Sequence, residues 1–142
     1  PVEEQIVNPV TIGNLEGGTD KPMKAEPRPY VGIGVSKEEL QAYLSSQFSK
    51  YGIENQLGMA IYTIGAESSW IWNNGNKISI GLAAFIRDTW NEKCEGIYED
   101  MHPQQQLNCF AKLWAGGERW RWDAYCLHYW DKECIERRGL HP

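Results

Sequence analysis

The strongest constraint on the fold is the uneven distribution of aromatic residues and cysteines along the chain. All seven tryptophans and all four cysteines of this 142-residue sequence lie from Trp70 onward. The first 29 residues contain five of the seven prolines and no tryptophan, phenylalanine or cysteine. Such a segment buries too little apolar surface to offset the entropy lost on ordering. We therefore expect an extended tail or linker over residues 1–35 and one folded domain over residues 36–142.

The acidic balance of the chain argues against nucleic acid as a partner. The formal net charge is −5, whereas phosphate binding favours a concentrated surface of lysine and arginine. No stretch approaches the roughly 20 apolar residues that span a bilayer. We expect a monomer with neither a nucleic-acid partner nor a membrane span.

The four cysteines are expected to form disulfides. They are Cys94, Cys109, Cys126 and Cys134. The sequence contains no C-x-x-C pair and only three histidines, so the ligand spacing of a structural zinc site is missing and no metal is expected. Four cysteines allow three pairings, of which we favour Cys94–Cys109 and Cys126–Cys134 because they close two local loops. Disulfides indicate an oxidising location: secreted, periplasmic, associated with the cell wall, or in a virion.

Two helices are predicted early in the folded part. Ser36 followed by Glu39 forms a capping box, and apolar residues at helical spacing continue to Gly52, a left-handed cap residue. A second helix is predicted from about Glu54 to Ser68. Its apolar stripe leads, one turn further on, to Glu67.

The rest of the domain is predicted to be helical, with one exception. Asn74-Gly75 lies between the apolar runs 70–72 and 77–80 and is a hairpin signal. Residues 81–95 should be helical in pieces, a helix should start at Pro103, and residues 118–137 should form short helices. The fold class is therefore α+β, mainly α, with a small β-hairpin inserted after the Glu67 helix.

Glu67 is the strongest candidate for a catalytic acid. Burial and the negative end of a helix dipole both disfavour an ionised carboxylate. A glycosidase needs a carboxylic acid that still holds its proton near neutral pH. Periodicity alone leaves the alternative that Glu67 only borders the helix and points to water.

The segments around Glu67 follow one another in an order typical of a known enzyme family. Residues 66–70 are Ala-Glu-Ser-Ser-Trp, and residues 79–85 are Ser-Ile-Gly-Leu-Ala-Ala-Phe, followed by Thr89-Trp90. This order resembles the lysozyme-like soluble lytic transglycosylase family, in which Glu-Ser precedes a hairpin and a Gly-Leu-x-Gln-Phe segment. Residues 106–111 and 120–122 are similar to the tail of phage-type and resuscitation-factor-like members. The resemblance covers residues 38–130.

The resemblance implies a lysozyme-like fold that binds peptidoglycan glycan strands without a cofactor. It implies that Glu67 cleaves the β-1,4 bond between N-acetylmuramic acid and N-acetylglucosamine as general acid and then base. Ser79 and Gly81 would help to hold the substrate. Two positions depart from the family: Ala84 replaces the usual glutamine, and the usual Tyr-Asn-x-Gly motif is missing, so Tyr125 is the candidate for its tyrosine.

Three functions stay open at this point. The first is a lytic transglycosylase, in which Glu67 acts without a second carboxylate. The second is a hydrolytic muramidase, which needs a partner carboxylate. The candidate partners are Asp88, Glu92, Glu95 and Asp123, each of which has the alternative of being a solvated surface charge. The third is a glycan-binding or structural module with weakened catalysis, which Ala84 keeps open.

The tryptophans divide into two groups by their sequence context. Trp90 and Trp114 lie on helical stripes, so they are assigned to the core. Indole rings also stack on sugar rings, and tryptophans beside turns are candidates for the walls of a cleft. These are Trp70, Trp72, Trp120 and Trp122, of which Trp72 and Trp122 are predicted to bind substrate.

Overall fold

Helix-capping residues determine where the first helix begins. In the computed structural model, which describes residues 35–73 and 75–141, helix α1 spans Lys37–Lys50. Ser36 Oγ accepts a hydrogen bond from the Glu39 amide, and Glu39 Oε1 accepts one from the Ser36 amide, as the capping box predicts. Gly52 follows the helix with φ of +72°. Apart from Val35, the tail predicted for residues 1–35 lies outside the described residues.

The described chain is mainly helical, which confirms the predominant α character predicted from the sequence. The further α-helices are α2 (Leu57–Ser68), α3 (Arg87–Lys93), α4 (Pro103–Ala115), α5 (Asp123–His128) and α6 (Lys132–Arg138). Short 3₁₀ helices span Glu54–Gln56, Tyr98–Asp100 and Arg119–Arg121. The predicted start at Pro103 is confirmed, as are the short helices of the last segment.

Helix α4 carries the largest share of the core. Its predicted apolar stripe is buried, and α1 packs along it with Phe48 and Phe110 ring centroids 6.3 Å apart. Trp122 reaches the same core, with its ring centroid 4.6 Å from that of Phe110. Trp90 and Trp114 are buried, as predicted.

The chain after α2 does not follow the predicted hairpin. Ser69 and Trp70 have φ of 56° and 64°, so they turn the backbone sharply at the helix end. The Trp70 indole folds back over Gly65, where an added Cβ would lie 3.5 Å from Nε1. Residues 70–72 therefore do not start an extended strand, because the ring of Trp70 is buried against the helix it follows.

Two tight turns replace the predicted hairpin. Isolated antiparallel bridges join Gly75 to Ile80 and Ile80 to Phe85, while Asn74 lies outside the described residues. The side-chain oxygen of Asn76 accepts hydrogen bonds from the amides of Ile78 and Ser79, which fixes the first turn. Within residues 75–85, pairing is thus limited to single bridges.

Gln106 on α4 joins these turns to the core. Its side chain is 1% exposed. Oε1 accepts a hydrogen bond from the Leu82 amide at 2.6 Å, and Nε2 donates to the carbonyls of Trp72 and Met101. Gly81 has φ of +92°, and a Cβ there would lie 2.6 Å from Gln106 Oε1. Glycine is therefore required at position 81 for backbone packing.

Both favoured disulfides are present. Cys94 is bonded to Cys109, which connects the end of α3 to α4. Cys126 is bonded to Cys134, which connects α5 to α6. In the described parts of the chain, no helix is long and apolar enough to cross a membrane.

Candidate functional site

A groove of about 340 Å³ opens beside Glu67. We call it the Glu67 groove. It is lined by Glu67, Ile78, Ser79, Ala84, Phe85, Ile86, Thr89, Trp120, Arg121, Trp122 and Arg138. The end of α2, the two turns, the start of α3 and the last third of the chain therefore meet at one place.

Glu67 lies in the last turn of α2 and is partly buried. The helix end is held by Ser68, whose Oγ donates to the Ile64 carbonyl and accepts from the Trp70 amide. Helix α5 packs against α2 on this side. These contacts fix the backbone that carries the Glu67 carboxyl at the edge of the groove.

The surroundings of Glu67 favour its protonated form. Burial raises the pKa of Glu67 above its usual value of 4.5, and the negative charge of Asp123 raises this pKa further. A hydrogen bond from the Ala124 amide and the positive charge of Arg138 oppose this shift of the pKa. The pKa remains raised, which suits a group that must donate a proton near neutral pH.

The two turns form one wall of the groove. Ala84 has φ of 52° and donates its amide to the Gly81 carbonyl at 3.1 Å. Trp122 Nε1 donates to the Ala83 carbonyl at 2.8 Å, and Tyr98 Oη donates to the Phe85 carbonyl at 2.6 Å. Aromatic donors from distant segments thus hold this wall in place.

The opposite wall comes from residues 120–122 and from α6. Arg138 Nη1 donates to the carbonyls of Trp120 and Arg121, at 3.0 and 2.6 Å. Arg138 Nη2 lies 2.6 Å from Asp123 Oδ1. The Arg121 guanidinium packs on the Trp120 ring, 4.8 Å from its centroid. Arg138 therefore fixes the backbone beside Glu67 and places a positive charge in the groove.

Two of the five predicted substrate residues line the groove, namely Ser79 and Trp122. The other three, Gly81, Trp72 and Tyr125, do not line it. Trp72 packs against the core while its carbonyl accepts from Gln106. Tyr125 is 3% exposed and donates its hydroxyl to Asp131 at 2.7 Å, so its oxygen is directed away from the groove. Trp72 was predicted in the cleft because it lies beside a turn, and Tyr125 as a candidate for the tyrosine of the missing family motif, but both rings contribute to burial instead.

The four proposed carboxylate partners differ in whether they act on Glu67. Asp88, Glu92 and Glu95 are exposed side chains on α3 or just after it, as the alternative of a solvated charge predicts. Asp123 is near enough for its charge to act on Glu67, although its side chain is 50% exposed and paired with Arg138. Asp123 itself does not line the groove.

Sequence reasoning missed the two arginines of the groove. Arg121 and Arg138 lie far from Glu67 in the sequence; Arg121 falls within the 120–122 segment of the family resemblance, where no role was assigned to it, and Arg138 lies outside every motif. The one available signal was the density of arginines beside tryptophans in residues 119–138. Because side chains of this kind usually lie in solvent, that signal does not single out a site.

Trp120 also lines a second cavity, of about 360 Å³. We call it the Asp131 cavity. Asp131 Oδ2 accepts from Tyr125, and Asp131 Oδ1 accepts from the Cys134 amide at the start of α6. These hydrogen bonds, with that from Tyr125 the largest influence, lower the pKa of Asp131 below its usual 3.8. In residues 35–73 and 75–141, no group of three or more His, Cys, Asp or Glu side chains could hold a metal ion.

No protein-family model, curated protein or solved structure matches the chain. The functional interpretation therefore depends on the geometry of the Glu67 groove and on the motif resemblance around it.

Proposed function

We propose that the Glu67 groove binds a glycan strand of bacterial peptidoglycan and cleaves the β-1,4 bond between N-acetylmuramic acid and N-acetylglucosamine. The observation that carries the proposal is a carboxyl with a raised pKa at the inner edge of a groove that two tryptophans help to line. The resemblance to lytic transglycosylases, and the lysozyme-like fold it implies, belong to the same proposal.

Glu67 acts first as an acid. It donates its proton to the glycosidic oxygen as the bond to the muramoyl C1 breaks and an oxocarbenium-like transition state develops. The partial burial of Glu67 keeps that proton available. Arg138 then stabilises the carboxylate that forms, since its positive charge already acts on this group.

Glu67 acts next as a base. It takes the proton of the muramoyl 6-hydroxyl, whose oxygen attacks C1 and closes a 1,6-anhydro ring. No water and no second carboxylate are required for this route. The composition of the groove supports it, because Glu67 is the one carboxyl among the described residues that line it.

The tryptophans are the proposed contacts for sugar rings. Trp120 is partly exposed, and the guanidinium groups of Arg121 and Arg137 pack on its ring, 4.8 and 4.1 Å from the centroid. Trp122 is 5% exposed and contributes an edge of the groove. Ser79 lies on the opposite wall, where its hydroxyl is available to a sugar.

A hydrolytic muramidase is the second candidate, and Asp123 favours it. A retaining hydrolase holds its second carboxyl about 5 Å from the acid, and an inverting one holds it farther away for a water molecule. Asp123 is near enough to influence Glu67 but pairs with Arg138. The transglycosylase remains the better-supported proposal, because the Arg138 pairing occupies Asp123 outside the groove.

Digestion of purified peptidoglycan distinguishes these functions. We expect muropeptides with 1,6-anhydro ends by mass spectrometry. Reducing ends would instead establish hydrolysis, and intact sacculi coated with protein would indicate a binding or structural module. The rate should fall as pH rises through the raised pKa of Glu67, because the acid must be protonated. A rate that is constant from about pH 5 to pH 9 would contradict an acid of this kind.

The location of such an activity is part of the proposal. The Cys94–Cys109 and Cys126–Cys134 disulfides are typical of proteins in oxidising compartments. Peptidoglycan lies in such places, which supports a secreted, periplasmic, wall-associated or virion-associated protein.

A further inference from the structure

The Glu67 groove differs in charge from the chain as a whole. The chain carries a formal net charge of −5. The described lining of the groove contains two arginines, Arg121 and Arg138, and one carboxyl, that of Glu67. When Glu67 holds its proton, as the proposed reaction requires, the charged side chains that line the groove are both positive. The lining of the groove is then cationic, while the carboxylates that pair with the two arginines, Glu118 and Asp123, lie outside that lining.

The positive charge of Arg138 is only partly neutralised. Its Nη1 donates to two backbone carbonyls, which are neutral acceptors, and its Nη2 pairs with Asp123, a half-exposed carboxylate. Arg121 uses Nε and Nη2 for bonds to the same Glu118 oxygen, each at 2.7 Å. A guanidinium has five N–H donors. Both side chains therefore keep donors for a ligand beyond their bonds to the described residues.

The sugar backbone of a peptidoglycan strand carries a negative charge in one form only. Each N-acetylmuramic acid carries a lactyl ether that ends in a carboxyl group. In a strand with stem peptides, this carboxyl is an uncharged amide, and the remaining carboxylates lie farther out on the peptide. In a strand without stems, it is a carboxylate, which a guanidinium binds through charge-assisted hydrogen bonds.

We infer that the Glu67 groove selects glycan strands whose stem peptides have been removed, and that Arg121 and Arg138 bind the free lactyl carboxylate. This inference rests on the proposed function and specifies its substrate. The reaction that supplies the substrate is hydrolysis of the amide between the lactyl group and the first amino acid. Water adds across that bond, which leaves the carboxylate on the sugar and the amine on the released peptide.

Paired substrates test the inference. One preparation of glycan strands is divided, and an amidase removes the stems from one half. Chito-oligosaccharides, which lack both the lactyl group and the bond proposed to be cleaved, provide a neutral β-1,4 strand for comparison of binding. We expect kcat/KM to be at least about tenfold higher on stem-free strands, as expected for a charge-assisted hydrogen bond. This preference should shrink at high salt.

Variants of Arg121 identify the residue that recognises the charge. Arg121→Gln should lower kcat/KM on stem-free strands by about tenfold and should lower the value on stem-bearing strands by much less. Glu118→Gln removes the internal partner of Arg121 but keeps the guanidinium, so the preference should persist. Lys112→Gln is the matched control, because it removes one positive charge from an exposed position on α4 outside the groove.

Arg138 needs a second kind of variant because it also holds the backbone of residues 120 and 121. Arg138→Lys retains the charge but not the paired bonds to the two carbonyls. We expect it to keep part of the preference for stem-free strands. Circular dichroism of each variant establishes that it is folded before the rates are compared.

A binding measurement separates this inference from the proposed function. Glu67→Gln keeps the shape of the groove, and its tryptophan fluorescence can be titrated with each strand preparation. Tighter binding of stem-free strands supports the inference even if the parent protein cleaves nothing, in which case the proposed function alone fails. Equal affinities and equal rates for stem-free and stem-bearing strands would overturn the inference while leaving cleavage intact. An equal loss of kcat/KM on stem-free and stem-bearing strands in Arg121→Gln would also overturn it.

Discussion

The Glu67 groove and the Asp131 cavity have similar volumes, about 340 and 360 Å³, and share Trp120, yet they hold carboxyl groups of opposite character. Asp131 accepts hydrogen bonds from the Tyr125 hydroxyl and the Cys134 amide, with Arg119 3.7 Å away. These partners favour its ionised form, so its pKa is lowered. Burial dominates at Glu67 and raises the pKa of that group.

The comparison indicates which carboxyl is available for chemistry. Asp131 caps helix α6 and is engaged by the fold, as a structural residue should be. Glu67 is partly withdrawn from water in a groove with room for a ligand, and the charged form is disfavoured there. The volumes of the two cavities do not distinguish them. The burial of Glu67 and the hydrogen bonds to Asp131 do.

The largest expected effect follows from removing Glu67, the proposed proton donor of the groove. Glu67→Gln keeps the side-chain shape, so we expect the cleavage rate to fall on the order of 10³-fold, the usual contribution of a general acid. Release of muropeptides from sacculi measures it. The matched change Asp131→Asn should keep a rate within about twofold of the parent, because Asn can still cap α6. Equal losses in both variants would abolish the distinction between the two carboxyls.

The next largest expected effect is a loss of stability on weakening helix α6, which borders both the Glu67 groove and the Asp131 cavity. It carries Arg138 to the groove and begins at the Asp131 cap, and the Cys126–Cys134 bond ties it to α5. Replacing both cysteines by alanine should lower the free energy of unfolding by about 2–3 kcal/mol, the effect of a short closed loop. Urea denaturation measures this, and removal of Cys94–Cys109 gives the comparison. A loss of stability without any loss of cleavage would mean that α6 is not needed to shape the groove.

Truncating Asp131 should lower the free energy of unfolding by a smaller amount. Asp131→Ala removes the cap of α6 and the acceptor for Tyr125, which should cost about 1–2 kcal/mol of stability. Tyr125→Phe removes only the second interaction, so its loss should be smaller. Glu136→Gln, an exposed change in the same helix outside both cavities, is the control. If Asp131→Ala unfolds at the same urea concentration as that control, the Asp131 cavity is not held together as described.

The smallest expected effect is the change in the free energy of unfolding with pH, which has opposite signs for Glu67 and Asp131. Since folding raises the pKa of Glu67, its stabilising contribution is complete below the unfolded value near 4.5 and is lost as pH rises through the folded pKa. Glu67→Gln should therefore be more stable than the parent at neutral pH, by up to about 1 kcal/mol after screening by water. The two proteins should converge in acid.

Asp131 behaves in the reverse sense. Its lowered pKa stabilises the fold above the unfolded value near 3.8, and this contribution is lost as pH falls through the folded pKa. Asp131→Ala should therefore be less stable than the parent at neutral pH, with a smaller difference in strong acid. Urea midpoints measured across the pH range record both curves, and parallel curves for the two variants would contradict the assigned pKa directions.

Much of the local structure was predictable because its causes are local. The Ser36 capping box, the Pro103 helix start and the stripe of α4 depend on residues within a few turns of one another, and each is present. The two disulfides close short loops and were also found. The predicted hairpin is not confirmed: the described residues show only single bridges there, and Trp70 is buried against Gly65 instead of extending into a strand.

The candidate site was predictable only in part. Glu67 was identified because it continues an apolar stripe, Ser79 from the family resemblance and Trp122 from its position beside a turn, and all three line the groove. Trp72 was misplaced because an aromatic ring beside a turn can also be buried. Tyr125, chosen for the tyrosine of the missing family motif, instead donates its hydroxyl to the Asp131 carboxylate, a contact that no local pattern encodes.

By itself, the sequence determined most of the helices and the position of a carboxyl at the end of α2, and it favoured the observed cysteine pairing among three possible ones. Those features depend on backbone hydrogen bonds and on contacts within short stretches of chain. Only the tertiary structure decided that Arg138, Trp120 and Glu67 meet, and that partners stabilise the ionised form of Asp131 while burial favours the protonated form of Glu67. The reason is that the charge state of a carboxyl depends on the water and the dipoles around it, and packing brings these from segments far apart in the chain.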